Sequence, residues 1–369
     1  MGSPFCGILV DKIGPNIPLC VGSLGLELAL FMTSLCTQYW QLMLAQALLL
    51  GLSMSLVCCP PLGVVSRHMP HRRGLALGLT IGGSSIGGVI WPIMMQQLLV
   101  HHGISFGWTM RAVAFKMSPL LAFACLTVVE PLEQPSRAPS GTAHVTSHVT
   151  QQQPIEEAEQ KKMEDAAADG ESKKADLSFL WKPTYILLCL GLAVIYFGLF
   201  TPLFYVSAYA IDKGQSLSTA FYLLSAVNAS SFFGRVGPGH FADTYGHYNL
   251  LIIFTLLSGI VGFTWTRATS LGGMIVWSLA YGFTSGAVMS LQNACAGKIA
   301  PLRSQGAAVG FLMGCLSITA LIGVPIGGQI LKHSGYPALS MWTGATIVVG
   351  AAVLGVARFT LDPHLFAVF

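Results

Sequence analysis

Gly7-Ile-Leu-Val-Asp11-Lys12-Ile-Gly14 returns later in the chain as Gly239-His-Phe-Ala-Asp243-Thr-Tyr-Gly246. The shift is 232 residues (239 − 7), and Gly74, Gly78 and Gly82 return as Gly306, Gly310 and Gly314 at the same shift (306 − 74). Unrelated packing glycines have no reason to share one offset. The chain therefore carries two copies of one unit in the same orientation.

Around these motifs the sequence is apolar. Hydrophobic residues make up 53% of the 369 and charged residues 9%, with a mean hydropathy of +0.66, whereas a soluble domain carries about 25% charged residues. Such a chain is a polytopic membrane protein whose first partner is the lipid bilayer. Its apolar runs are continuous and lack two-residue alternation, which predicts an all-α bundle rather than a barrel. A parallel repeat in an apolar chain is the architecture of a transporter. The formal net charge of +4 matters through its placement, and no nucleic-acid partner is indicated.

A hydropathy reading with a window of about 19 residues predicts ten spans, near 16–36, 40–65, 74–100, 106–129, 183–209, 217–242, 248–268, 271–297, 306–331 and 337–359. Six of them lie between the two Asp motifs, so each copy of the unit holds six. Two spans are then expected before Asp11, where the sequence has only Met1 to Val10. The expectation is a twelve-span protein lacking its first span and most of its second.

Residues 130–182 carry ten of the fifteen acids and no apolar periodicity, which reads as a solvated linker. The expected domains are an incomplete half-bundle over 1–129, the linker over 130–182 and a six-helix half-bundle over 183–369. Loops on the linker's side carry thirteen Lys and Arg, and the alternate loops carry three. This bias predicts that both Asp motifs, the linker and the C-terminus are cytosolic, and the plasma membrane is the expected location.

Several residue patterns invite other readings. The nine cysteines lie in or beside apolar segments and read as small packing residues, not as a disulfide framework. Gly83-Ser-Ser85-Ile-Gly87 matches a serine-nucleophile elbow, but no strand precedes it and no acid and His partners are evident. Gly237-Pro-Gly239 resembles a dinucleotide fingerprint yet ends a helix rather than opening one. His68 and His71 lack a third metal ligand, and Asn228-Ala-Ser230 is a glycosylation sequon inside a span. No metal, cofactor or enzymatic activity is expected.

Charges at membrane depth are costly and mark cavities. Glu27 and Lys116 share a depth and opposite signs, which allows a neutralising pair. Arg111 lies near the outer face and can snorkel. Arg235 lies eight residues before Asp243, about 12 Å at 1.5 Å per residue, close to the depth at which transporters bind substrate. Asn228 and Ser231 fall on its helical face. A cationic, hydrogen-bonding stripe of this kind suits a carboxylate, and the competing reading is a structural Arg reaching backbone carbonyls. Tyr196, Tyr281 and Asn293 are further candidate substrate contacts. Asp11, Lys12, Asp243 and Gly239 are candidates for conformational gating, because a carboxylate beside a short turn can meet a helix N-terminus or a cation of a neighbouring span. The shifted glycines are expected to let helices pack closely.

The Gly-x-x-x-Asp-Lys-x-Gly pattern at 7–14 resembles the loop between the second and third spans of the major facilitator superfamily. Arg72-Arg73-Gly74-Leu-Ala-Leu-Gly78, Gly82 to Gly88 with Trp91-Pro92, Phe106 to Arg111, Phe233 to Asp243 and Ile322 to Gly328 are similar to its monocarboxylate-transporter-like branch, in particular the fungal members. The resemblance implies two pseudo-symmetric half-bundles and transport of a small organic anion by alternating access, with protons as the candidate coupling ion. In animal members an Asp stands one turn before the Arg matched by Arg235, and here that position is Ser231. The expected function is thus secondary transport. The alternative is a transport-inactive membrane protein, either truncated or a scaffold using the linker, with a hydrolase at Ser85 as a third reading.

Overall fold

The computed structural model describes residues 2–69, 72–128, 177–301 and 304–361. Apart from two short 3-10 turns, its described elements are helices of the α and π types. In the first half these are α1 (Ser3–Ile13), α2 (Asn16–Leu35), α3 (Tyr39–Leu42), α4 (Gly51–His68), α5 (Arg73–Gln96) and α6 (Phe106–Thr127). A wider π-helical stretch, Met43–Leu50, joins α3 to α4 as one rod. The second half holds α7 (Pro183–Leu199), α8 (Thr201–Asp212), α9 (Leu217–Tyr245), α10 (His247–Phe263), α11 (Leu271–Ile299) and α12 (Gln305–Leu361).

These helices match the ten expected spans. α7 and α8 form one broken span around Phe200, with Pro202 just beyond the break. α12 is two spans, divided at Gly335, whose φ of 74° only glycine adopts readily. Among the described residues, seven helices are long and apolar enough to cross a membrane by composition. α9 is as long as α11, 29 residues, but its serines, Asn228 and Arg235 lower its hydropathy. Side chains such as Phe123, Leu126, Phe204 and Leu321 stand more than 60% exposed, forming the apolar exterior that hydrocarbon covers.

The repeat is visible in the backbone. Gly14 and Gly246, which end the two Asp motifs, have φ of 88° and 91°, and Gly103 and Gly335 have φ of 61° and 74°. Both pairs are separated by 232 residues (246 − 14 and 335 − 103). The second half has an aromatic core in which Trp265 stacks on Trp277 and Trp277 on Tyr281, at centroid distances of 5.4 and 5.1 Å.

Some expectations are corrected. Glu27 and Lys116 form no ion pair: Lys116 is exposed and its Nζ lies 3.4 Å from Met94 Sδ. Arg111 bonds Ser34 Oγ at 3.2 Å, with its guanidinium over Trp108. Most of the 130–182 segment lies outside the described residues, but Ser178–Trp181 forms a helical turn whose Phe179 is fully buried against Tyr185. All nine cysteines are free thiols.

Candidate functional site

The two halves meet along two seams. In one, α5 packs on α9; in the other, α1 packs on the first part of α12. The glycines of the repeat make this approach possible. A Cβ on Gly74 would sit 2.3 Å from the Gly239 carbonyl oxygen, and one on Gly239 would sit 2.5 Å from that of Gly74. The related pair behaves alike, since a Cβ on Gly7 would lie 2.3 Å from the Gly306 oxygen. Gly78 abuts the Arg235 carbonyl, as Gly310 abuts that of Ser3. Backbones this close leave no room for a side chain.

The Asp motifs join the halves at the end of the bundle next to the linker. α5 and α12 begin without a capping side chain of their own at Arg72 and Ser304, so their first N–H groups need outside acceptors. The Asp243 carboxylate accepts from the Gly74 and Leu75 N–H groups at 2.8 and 3.1 Å. The Asp11 carboxylate accepts from Gly306 and Ala307 at 3.2 and 2.7 Å. Each half thus caps a helix of the other, where the helix dipole favours negative charge. His247 Nε2 lies 3.2 Å from Asp243 Oδ1. Lys12, by contrast, is exposed.

Arg235 projects from α9 across the seam and is 6% exposed. It donates to the Ile81 carbonyl at 2.8 Å and to Ser84 Oγ on α5, and its Nη2 lies 3.2 Å from Met289 Sδ on α11. Its Nε is buried without a partner, and no described carboxylate lies within 4 Å of it. The guanidinium therefore meets backbone, as the structural reading of the sequence expected, yet keeps an unspent donor and an uncompensated charge.

The companions expected around Arg235 are distributed over several interfaces. Asn228 donates to Leu224 within α9, with its Oδ1 against Gly88 of α5. Ser231 faces the other way and packs on Gly286 of α11. Asn293 is 2% exposed and donates to the Met289 carbonyl at 3.1 Å, which leaves its Oδ1 unpartnered. Tyr196 is within electrostatic reach of Arg235, and its hydroxyl receives Gln292 Nε2 at 2.7 Å. Tyr281 stands apart: it is fully buried in the aromatic core and its hydroxyl donates to the Leu199 carbonyl at 2.7 Å, beside the break between α7 and α8. Gln292 and Arg73 are the residues the sequence reading missed. Gln292 lies beside Asn293 in an apolar helix, and a polar residue at that depth was the available signal.

Two recesses among the described residues are lined by other side chains. One of about 390 Å³ lies at the far end of the first half, among Met32, Leu35, Trp40 and Leu44. Another of about 240 Å³ lies on the α5–α9 seam, lined by Ser85, Ile86, Val89, Ile90, Ala229 and Phe232. Both are apolar. Ser85 is buried in the middle of α5, and His68 Nδ1 faces the Val64 carbonyl while His71 lies outside the described residues. Among the described residues no group of three His, Cys, Asp or Glu could hold a metal.

Comparison with known proteins agrees with this architecture. The sequence matches the Major Facilitator Superfamily over residues 1–240 and 236–366. The chain belongs to that superfamily. An MFS-type transporter of Aspergillus fumigatus is 48% identical over 98% of this chain and 80% of its own length. The agnestins efflux protein AgnL12 of Paecilomyces divaricatus is 42% identical over 97% of this chain and 75% of its own. Among solved structures, the human organic anion transporter MFSD10 superposes with a TM-score of 0.70 at 15% identity, covering 95% of this chain and 80% of that one, a likeness of fold. This superfamily member is a multi-pass membrane transporter of small molecules.

Proposed function

We propose that the chain is a secondary active exporter that moves a small organic anion, a monocarboxylate or a larger organic acid, by alternating access. The observation that carries the reading is the reciprocal capping of α5 by Asp243 and of α12 by Asp11. Contacts that run only between the halves, and only at one end, can latch a single conformation. The structure corresponds in this reading to the state closed at the linker end, with Asp11, Lys12, Asp243 and Gly239 forming the gate. Export is supported by the efflux role named for the Paecilomyces relative. The Lys and Arg bias supports a cytosolic linker; the plasma membrane is the proposed location, and protons are the candidate coupling ion.

Arg235 is the proposed anion contact because its charge is buried and its Nε has no partner. Uptake of radiolabelled benzoate and related acids into inside-out vesicles tests this. Arg235→Ala should weaken half-saturation by about 2 kcal/mol, roughly thirtyfold. Arg235→Lys keeps the charge and loses the fork, so it should fall between Ala and wild type. Intact affinity and maximal rate in a folded Arg235→Ala protein would make the residue purely structural.

A further inference from the structure

Arg73 is 7% exposed and carries a guanidinium that its surroundings barely use. Among the described residues its one hydrogen bond, to the Ser66 carbonyl, is 3.5 Å long, and its Nε is buried without a partner there. It precedes Gly74, whose N–H holds Asp243, and lies within electrostatic reach of that carboxylate. Its Nη1 rests near Gly297 of α11, while Met289 of the same helix touches Arg235. Those contacts are eight residues apart, about 12 Å along a helix. Ser290 and Asn293 lie between them, each with a buried oxygen that has no protein partner.

The second seam carries different residues at the related positions. The residue related to Arg73 is Gln305, and those related to His247 and Lys298 are Pro15 and Ser66 (305 − 73, 247 − 15 and 298 − 66 each give 232). Asp11 nevertheless holds its helix N-terminus at distances like those of Asp243.

We propose that Arg73, with the Gly74 and Leu75 N–H groups, is a second anion site that Asp243 occupies in the closed state and the substrate carboxylate occupies when the linker end opens. This rests on the reading of the chain as an anion transporter. Two N–H donors of a helix N-terminus beside a guanidinium are suited to a carboxylate. Asp243 is then a competitor built into the chain, and the anion passes from Arg73 to Arg235 along the face of α11 carrying Ser290 and Asn293.

The test is benzoate half-saturation measured from each side, in inside-out and right-side-out vesicles. Arg73→Gln should raise the linker-side value about tenfold, with Arg73→Lys recovering most of the loss. Asp243→Asn, which weakens the competitor, should lower it. A purely structural latch makes both substitutions open the linker end, so shifts in the same direction overturn the proposal. So does an equal change on both sides. If wild type shows no saturable benzoate flux, the anion reading itself fails and takes this site with it; normal flux with an unmoved Arg73→Gln value defeats the site alone.

Discussion

In the α5–α9 seam Asp243 sits on the N-terminus of a helix from the other half, and in the α1–α12 seam Asp11 does the same with the halves exchanged. The backbones approach through glycines at related positions, and each turn ends on a glycine with φ near 90°. Only the furnishing differs, with Arg73, His247 and Lys298 around one cap where the related residues are Gln305, Pro15 and Ser66. The shared part is what closing the bundle requires: a carboxylate, two N–H donors and contact between backbones. The unshared part is free to serve substrate handling at one seam.

The largest effect is expected from breaking the shared part. Gly239→Val puts carbon atoms where the Gly74 carbonyl stands, and Gly7→Val does so at Gly306. Each should destabilise the closed state by about 3 kcal/mol, roughly a hundredfold in population. Thiol-reagent access to the linker end measures it. If the two substitutions differ by more than about tenfold, the seams are not equivalent.

The caps come next. Asp243→Asn and Asp11→Asn each keep an acceptor and lose the charge, at a cost of about 1 kcal/mol, near fivefold. The two effects should be similar, because each carboxylate holds two N–H groups of the other half. Clearly unequal effects in the same accessibility assay would show that the two caps do not contribute alike to the latch. The smallest effect is expected away from the seams. Tyr281→Phe removes one buried hydrogen bond to Leu199, about 1 kcal/mol of stability read by thermal unfolding, with benzoate half-saturation unchanged.

The repeat was legible in the sequence because Gly7, Asp11, Gly74 and their partners recur at one offset, and the spans because hydrocarbon imposes a minimum length on apolar runs. That the capping is exchanged was not legible. The spacing from Asp243 to Gly74 is set by packing between halves, and nothing local to either motif encodes it. The stripe of Asn228, Ser231 and Arg235 shows a related limit. Helical periodicity places all three on one face, but that face is wide enough for α5 to take Asn228 while α11 takes Ser231. Tyr281 read as a cavity residue because a hydroxyl in a span suggests a ligand; the carbonyl of Leu199, beside the α7–α8 break, supplies its partner instead.

The central claim is that the two carboxylate caps hold the linker end closed. Ile13 and Tyr245 are exposed there, one in each half, and spin labels at these positions, with the native cysteines replaced, report the distance between the halves. The account expects a short, narrow distance distribution that lengthens when Asp11→Asn and Asp243→Asn are combined. An unchanged distribution in the folded double variant would contradict it.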